Sequence, residues 1–268
     1  MNVTIHGNMA RKIPTREKVA TLGKKIAKTI EASGVKRYVH WLCAPGQACI
    51  PMEETLFTES PQWRIFRIMA EFVEGFELLS TLKREVSIFG SARAMPTSPY
   101  YTFARELGYA LGKKGYTLVS GGGPGIMEAA DRGAYEAGAE SVGLNIQLPI
   151  QQRTNQYVKK GMGFHYFFTR KVMLSASAQA YVFFPGGFGT LDEMTEMVTL
   201  VQTGKIPKNV PVILFGKKFW QPFLEWVNRV VGEEYRYVEK EEIAILKLVD
   251  TVEEAVKIID KTQERPFG

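Results

Sequence analysis

"AYVFFPGGFGTLDEMTEM", residues 180–197, decides the fold class of this chain. It begins with a short run of aliphatic and aromatic residues, breaks into Pro185 and three closely spaced glycines, and continues as an acidic segment. A short apolar run bounded by Gly and Pro is typical of a strand buried on both faces. Glycine permits the tight turn that leads from such a strand into a helix. The stretch therefore predicts a strand, a turn and a helix in succession, the repeating unit of α/β proteins.

The same alternation extends along the chain from residue 84 onward. Strands are predicted at 85–91, 116–122, 141–148, 180–186, 210–216 and 242–249. Helices are predicted between and after them, at 100–113, 125–137, 166–178, 189–203, 218–231 and 251–262. Nearly continuous apolar strands joined by helices favour a parallel sheet covered on both faces. We therefore expect a doubly wound, Rossmann-like α/β domain over residues 84–268.

Residues 1–83 differ in composition and are predicted to form a basic extension and a helical lead-in. Of the net charge of +6, the first 40 residues contribute nine Lys and Arg against two Glu, so the remaining chain carries about −1. Residues 15–33 have the spacing of an amphipathic helix. Such a basic helix could bind a membrane surface or nucleic acid, but a helix packed on its own protein with a solvated lysine face is the favoured interpretation. The aromatic stripe at 61–82 is typical of a core or dimer interface.

Composition excludes several other classes of protein. No run of about 18 apolar residues occurs, so no membrane span is expected. The first residues contain no apolar segment of the kind found in signal peptides, and a cytoplasmic location is expected. Cys43 and Cys49 are too few for a disulfide framework, and neither they nor the three histidines have metal-ligand spacing. Nucleic-acid binding would depend on residues 1–40 alone, without a recognition motif, and is not expected.

In a parallel sheet the carboxyl ends of all strands lie at one edge, where ligands bind. Four predicted connections fall there: 89–94, 120–128, 147–171 and 185–193. Two of them are glycine-rich turns that enter helices, and these turns contain Gly121, Gly122, Gly123 and Gly125, and Gly186, Gly187 and Gly189. Such turns can present backbone N–H groups to a phosphate, although a tight turn alone also needs glycine.

Neither turn has a common nucleotide-binding fingerprint. "SGGGPGIME", residues 120–128, lacks the Gly-Lys-Ser/Thr ending of a P-loop. It also fails the dinucleotide pattern G-x-G-x-x-G, because the third glycine would fall at Ile126 or Glu128. Around Asn145 no acidic residue follows the next strand to hold a ribose. A dinucleotide-dependent oxidoreductase is therefore disfavoured.

Two charged residues are predicted at the same edge of the sheet. Arg170 lies near the start of one predicted helix and Glu193 in the first turn of another. A guanidinium and a carboxylate beside a phosphate site could break a bond in a nucleotide. Alternatively, Glu193 could form a capping box with Thr190, and Arg170 could be an ordinary surface ion-pair residue. The spacing leaves both interpretations open.

Three segments also closely resemble the LONELY GUY (LOG) family of cytokinin-activating phosphoribohydrolases and their bacterial relatives, once labelled lysine decarboxylases. They are "SGGGPGIMEAADRGA" (120–134), "TRKVML" (169–174) and "PGGFGTLDEMTE" (185–196). The family pattern, an Arg-Lys pair followed by P-G-G-x-G-T-x-x-E, is met at every fixed position. The resemblance covers residues 84 to about 230, and residues 63–93 resemble the lead-in of longer bacterial members.

The resemblance implies hydrolysis of the N-glycosidic bond of a purine nucleoside 5′-monophosphate, AMP or an N6-substituted AMP, to free base and ribose 5-phosphate. It implies Arg170 and Glu193 as the catalytic pair. It also implies nucleotide contacts from Lys171, Gly186, Gly187, Gly189, Thr190 and Thr199. The glycine turn at 121–125, Ser91 and Glu128 are further candidates for nucleotide contacts. A homodimer or higher homo-oligomer is expected, and no cofactor.

One position departs from the family pattern. Bacterial members commonly have L-P-x-E-Q after the third strand, whereas this chain has "LPIQQ", with Gln151 in place of the glutamate. This change puts the substrate preference in question but not the catalytic pair. A non-catalytic nucleotide or molybdopterin carrier on the same fold is the alternative. A pyridoxal enzyme is disfavoured, because Lys171 is the only lysine near both turns and no acid is placed for a pyridine nitrogen.

Overall fold

The computed structural model describes residues 61–147, 154–176 and 178–265. The chain divides into two units, Met1–Arg67 and Ile68–Gly268. The predictions for the basic helix at 15–33, for both cysteines and for Gln151 lie outside the described residues. The predicted domain boundary at residue 83 stays a prediction.

Eight α-helices and seven strands occur in the described residues. The helices are α1 Pro61–Ser80, α2 Pro99–Lys113, α3 Ile126–Ala137, α4 Phe167–Ala176, α5 Phe188–Gln202, α6 Lys217–Trp226, α7 Lys240–Ile243 and α8 Val252–Ile259, and a π-helical segment, Val227–Glu234, follows α6. The strands are β1 Glu85–Phe89, β2 Thr117–Ser120, β3 Ser141–Ile146, β4 Lys160–Phe164, β5 Ala180–Phe183, β6 Val212–Phe215 and β7 Leu246–Val249. None of these helices is long and apolar enough to cross a bilayer.

All seven strands are parallel and lie in the order β4-β3-β2-β1-β5-β6-β7. The chain starts at the central β1, adds three strands on one side, and then returns to add β5, β6 and β7 on the other. β1 and β5 pair directly, from Val86 opposite Ala180 to Phe89 opposite Phe183. The strand order therefore reverses between β1 and β5, and a crevice for a ligand is expected above their carboxyl ends.

Apolar cores cover both faces of this sheet, which confirms the predicted doubly wound α/β architecture. One core includes Leu79 of α1, Met173 of α4, Met197 of α5 and Trp220 of α6. The Trp220 indole N–H donates to the carbonyl oxygen of Phe183 over 3.0 Å, so this large ring is buried without an unpaired donor. The other core is formed by residues of α2, α3 and α8. The apolar composition of the strands follows from this two-sided burial.

The prediction missed one strand and misplaced the start of another. β4, "KGMGF", lies at the sheet edge with mostly exposed residues, so it lacks the apolar run by which the other strands were identified. The last strand was predicted from residue 242 but begins at Leu246. The helix α7 occupies the preceding residues, and a reciprocal capping box between Glu239 and Glu242 fixes its start. The predicted helix at 218–231 is also divided, since α6 ends at Trp226 and the π-helical segment continues it.

Candidate active site

Three connections at the carboxyl ends of the strands are joined to one another by backbone hydrogen bonds. The Ser91 N–H, after β1, donates to the Pro185 carbonyl after β5 over 3.0 Å. The Ile126 N–H at the start of α3 donates to the Ser91 carbonyl over 3.1 Å. Gly125 has a positive φ of 72°, and a side chain there would collide with the Ser91 carbonyl. The backbone of Ser91 therefore links both glycine-rich turns at the point where the strand order reverses.

Arg170 and Glu193 lie together at this edge. One terminal guanidinium nitrogen, Nη1, lies 3.5 Å from Glu193 Oε1, and the two side chains are only 11% and 15% exposed. The Arg170 Nε–H donates to the Leu144 carbonyl of β3 over 2.7 Å. This second bond fixes the direction of the guanidinium independently of Glu193. The ion pair is therefore largely, though not completely, shielded from solvent, unlike a surface pair.

Burial changes the proton affinity of both groups. It raises the pKa of Glu193 to about 7, and the nearby positive charge of Arg170 opposes this shift only in part. Burial lowers the pKa of Arg170, and attraction to Glu193 opposes that change. The 3.5 Å separation exceeds the 2.7–2.9 Å or so of a charge-assisted hydrogen bond, so the carboxylate can still accept a proton or a bond from another molecule.

The capping-box interpretation of Glu193 is wrong. The helix α5 begins at Phe188 with Gly187 as its N-cap, and no side chain caps it. Thr190 is consequently the third helical residue, and Glu193 lies in the second turn rather than the first. Thr190 is buried, with its hydroxyl against Gly186, where any side chain would collide with it. The carboxylate of Glu193 is thus directed to Arg170 and not to its own helix terminus.

The start of α5 is open on one side. At Gly187 and Gly189 an added Cβ would meet no atom within 4 Å, and Phe188 between them is 92% exposed. The first N–H groups of a helix have no partner within it and carry partial positive charge. This turn can therefore accept an anion such as a phosphate.

The glycine-rich turn after β2 packs directly against the guanidinium of Arg170. A Cβ on Gly121 would lie 2.5 Å from Nη2 of Arg170, so glycine at this position leaves room for the guanidinium. The Gly122 N–H donates to the Ser120 hydroxyl over 2.9 Å, while Asn155 bonds to the carbonyl oxygens of Gly122 and Gly123 over 2.8 and 3.0 Å. The turn is therefore held from two sides next to the arginine.

Other predicted site residues have partners within the protein. Lys171 forms ion pairs with Asp192 over 2.8 Å and with Glu196 over 3.3 Å. The Glu128 carboxylate accepts a bond from the Tyr101 hydroxyl over 3.3 Å. The Thr199 hydroxyl donates to the carbonyl of residue 195, and Thr199 lies roughly 16 Å along the axis from the start of α5, at about 1.5 Å per residue. Of the residues of α5 predicted to contact the nucleotide, Thr199 is thus the farthest along the same chain from the open start of the helix.

Sequence reasoning missed two buried carboxylates near this site. Asp131 of α3 is fully buried, and its Oδ2 accepts bonds from Ser120 over 2.8 Å and from Asn155 over 2.7 Å. Its Oδ1 has no partner. Glu71 of α1 is the second, and it accepts bonds from three groups at the start of α4. An acid among the alanines of α3 was a local signal for Asp131, whereas Glu71 resembles any other acid of an amphipathic helix.

Arg265 holds the opposite end of α4. Its guanidinium donates to the carbonyl oxygens of Ser175 and Ala178, each over 3.1 Å, and to the Tyr181 hydroxyl over 3.0 Å. Carbonyl groups at a helix C-terminus lack intrahelical partners and favour a cation. The segment after α8 thereby stabilises the end of the helix that carries Arg170.

The burial of Asp131 predicts a pH dependence of stability. Burial raises the pKa of Asp131 to about 7, against about 3.9 in an unfolded chain. Between these values the folded protein keeps a proton that the unfolded chain has lost, so the free energy of unfolding falls as pH rises through this window. We expect Asp131→Asn, which cannot ionise, to remove on the order of a few kcal/mol of this fall between pH 4 and 8. Urea unfolding of both proteins across this range measures it, and equal pH slopes would contradict the prediction.

Residues 127–259 match the family described as "Possible lysine decarboxylase". Cytokinin riboside 5′-monophosphate phosphoribohydrolase LOG of Oryza sativa subsp. japonica is 31% identical over 159 residues, which are 59% of this chain and 65% of that protein. The probable phosphoribohydrolase LOGL6 of the same plant is 27% identical over 165 residues, 61% of this chain and 66% of that protein. The chain thus spans slightly less than two thirds of these two relatives.

Solved structures that are similar to part of this chain include TM1055, with a TM-score of 0.48 and 27% identity over 66% of this chain and 99% of that chain. The molybdenum cofactor binding protein of Rippkaea orientalis has a TM-score of 0.48 and 21% identity over 66% of this chain and 93% of that chain. The fold assigned above rests on the strand order of this chain itself.

Proposed function

We propose that the protein hydrolyses the N-glycosidic bond of purine nucleoside 5′-monophosphates, because its residues 127–259 match the "Possible lysine decarboxylase" family and the chain is similar to LOG phosphoribohydrolases. The substrate is AMP or an N6-substituted AMP, and the products are the free base and ribose 5-phosphate. One observation carries this proposal: a largely shielded Arg170–Glu193 pair lies at the carboxyl-end edge of the sheet, on the same edge as the open start of α5.

The start of α5 is the proposed site for the 5′-phosphate. The turn formed by Gly186, Gly187, Gly189 and Thr190 supplies backbone donors at a helix N-terminus. Lys171 lies beside the same helix, because it forms an ion pair with Asp192. In this proposal Gly121, Gly122, Gly123 and Gly125 also contact the nucleotide, as do Ser91 and Glu128. The phosphate would thus be bound by the backbone, while Arg170 and Glu193 act on the sugar.

The chemistry follows from the charge that develops on the ribose. As the bond between C1′ and the base nitrogen breaks, the ribose acquires oxocarbenium-like positive charge, and a carboxylate beside it stabilises that charge. A water molecule then adds to C1′ and its proton passes to Glu193, while the departing base nitrogen takes up a proton from solvent. Glu193 then releases its proton to solvent, which restores the carboxylate and leaves one water consumed. A base with a pKa near 7 is efficient at neutral pH, because it is sufficiently ionised and still accepts a proton. Arg170 orients the carboxylate.

The test is release of ribose 5-phosphate from AMP by the purified protein, measured beside adenosine, GMP and CMP. Release from AMP but little from adenosine supports a site that requires the phosphate. If AMP binds in calorimetry and no nucleoside monophosphate is cleaved, the hydrolase proposal is wrong and the carrier alternative takes its place. A homodimer with α1 at its interface stays a prediction, which sedimentation can test.

Gly121 should control turnover without controlling folding. We expect Gly121→Ala to reduce turnover of AMP at least tenfold, because the new Cβ would displace the guanidinium of Arg170 from 2.5 Å away. The Cβ would also lie 2.8 Å from the Met127 sulfur, and both displaced groups are ends of flexible side chains, so the free energy of unfolding should change by only about 1 kcal/mol. Gly161→Ala is the matched control, since its nearest neighbour would lie at an ordinary 3.5 Å. Turnover equal to that of the control would contradict the prediction.

A further inference from the structure

Glu71 of α1 contacts the start of the helix that carries Arg170. Its carboxylate accepts a 2.6 Å bond from the Thr169 hydroxyl and a 2.8 Å bond from the His165 N–H. The Tyr166 N–H lies 3.4 Å from Oε2 of Glu71, the same oxygen that accepts the bond from Thr169. Glu71 is only 8% exposed, and the residues it contacts are 94 to 98 positions away in the sequence.

These contacts put a negative charge at the N-terminus of α4. Unpaired N–H groups and the helix dipole favour an anion there, and in this protein the anion comes from the chain itself. The start of α4 is therefore occupied, whereas the start of α5 carries no side-chain cap and has open space at Gly187 and Gly189. A substrate phosphate has only the second of these two helix starts available to it.

The bond to Thr169 also fixes the rotation of α4 about its axis. Thr169 immediately precedes Arg170, whose Nε–H reaches the Leu144 carbonyl at 2.7 Å and whose Nη1 lies 3.5 Å from Glu193. If α4 rotated or its first turn unwound, the guanidinium would lose both partners. We propose that Glu71 is a positioning residue, which holds Arg170 against Glu193 without touching the substrate. This inference rests on the hydrolase function proposed above.

The kinetic test compares Glu71→Ala and Glu71→Gln with Glu74→Ala, an exposed glutamate on the same helix. We expect Glu71→Ala to lower kcat for AMP at least tenfold with KM within about twofold, because the phosphate site at α5 is not altered. Glu71→Gln should lose less, since its amide oxygen can still accept the bond from Thr169. Sodium formate should partly restore kcat of Glu71→Ala and leave Glu74→Ala unchanged. Wild-type kcat in Glu71→Ala would overturn the proposal.

A second measurement does not require activity. Amide hydrogen exchange at His165 and Tyr166 should accelerate at least tenfold in Glu71→Ala and stay unchanged in Glu74→Ala. Unchanged exchange would overturn the role of Glu71 even if turnover fell. If the wild-type protein cleaves no nucleotide, the proposed function fails, and exchange still decides whether Glu71 fixes α4. Should Glu71→Ala not fold, Thr169→Val removes the shortest bond to Glu71, together with the 2.8 Å contact of the same hydroxyl with the Tyr166 carbonyl. A normal kcat in that variant would overturn the proposal.

Discussion

Replacing Glu193 by alanine is expected to lower kcat for AMP hydrolysis by about 10²–10⁴-fold, the usual contribution of a general base, with nucleotide affinity nearly unchanged. The carboxylate is 15% exposed and lies 3.5 Å from Arg170. In the proposed mechanism it acts on the ribose, while the 5′-phosphate is bound at the start of α5. Ribose 5-phosphate release gives kcat, and calorimetry with AMP gives the affinity. A loss of affinity equal to the loss of kcat would contradict this division of roles.

Two further variants sharpen this result. Wild-type kcat should rise with pH through about 7, because the proposed mechanism requires ionised Glu193 and burial raises its pKa to that value. Glu193→Gln keeps the shape of the side chain but cannot ionise, so this dependence should disappear together with most of the activity. Glu106→Ala, an exposed glutamate on α2, is the control and should retain normal turnover. Turnover of Glu193→Ala equal to that of the control would exclude the mechanism.

Replacing Arg170 by alanine is expected to lower kcat for AMP at least a hundredfold, about 2.7 kcal/mol of transition-state stabilisation. The change removes the group that orients Glu193 and leaves the Leu144 carbonyl without its 2.7 Å donor. It also removes the charge that lowers the pKa of Glu193, so that pKa should rise further. The residual activity should therefore increase at a higher pH than in the wild type. A pH–rate profile of the variant measures both effects.

Arg170→Lys separates charge from geometry. Lysine keeps the positive charge but lacks the planar fork that reaches Leu144 and Glu193 at once. We expect its pH profile to stay close to that of the wild type, with kcat nearer to that of Arg170→Ala. Arg105→Ala, which breaks an ion pair with Glu136 in which the arginine is 44% exposed, should leave both quantities unchanged. An unshifted profile in Arg170→Ala would show that the arginine does not control the ionisation of Glu193.

The central strands were predictable because a strand that is buried on both faces consists almost entirely of apolar residues. The "AYVF" run that becomes β5 is apolar because residues facing either core must be apolar. β4 escaped prediction because an edge strand with two glycines carries no such pattern. The start of α5 was placed one residue late, because Phe188 between two glycines has no periodic signal.

The site could be predicted only in part. Residues at the carboxyl ends of parallel strands must share one edge of the sheet, which brought Arg170 and Glu193 into a single prediction. Whether Glu193 faces the arginine or its own helix terminus depends on the N-cap, and Gly187 rather than Thr190 occupies that position. The contact of Glu71 with Thr169 spans 98 residues and leaves no local pattern, so only the folded structure reveals it.

The helix α4 is held at its start by Glu71 and at its end by Arg265. Both contacts bear on where the functional domain begins and ends. The family match covers residues 127–259, yet Glu71 precedes it and Arg265 follows it. A fragment cut at the limits of the match would also lose β1 and β2, and one cut at residues 84 and 261 would retain the whole sheet but neither of these contacts. The proposed role of Glu71 therefore predicts that the smallest unit that keeps the arginine in place is longer than the family match or the seven strands alone, and extends from α1 to Arg265.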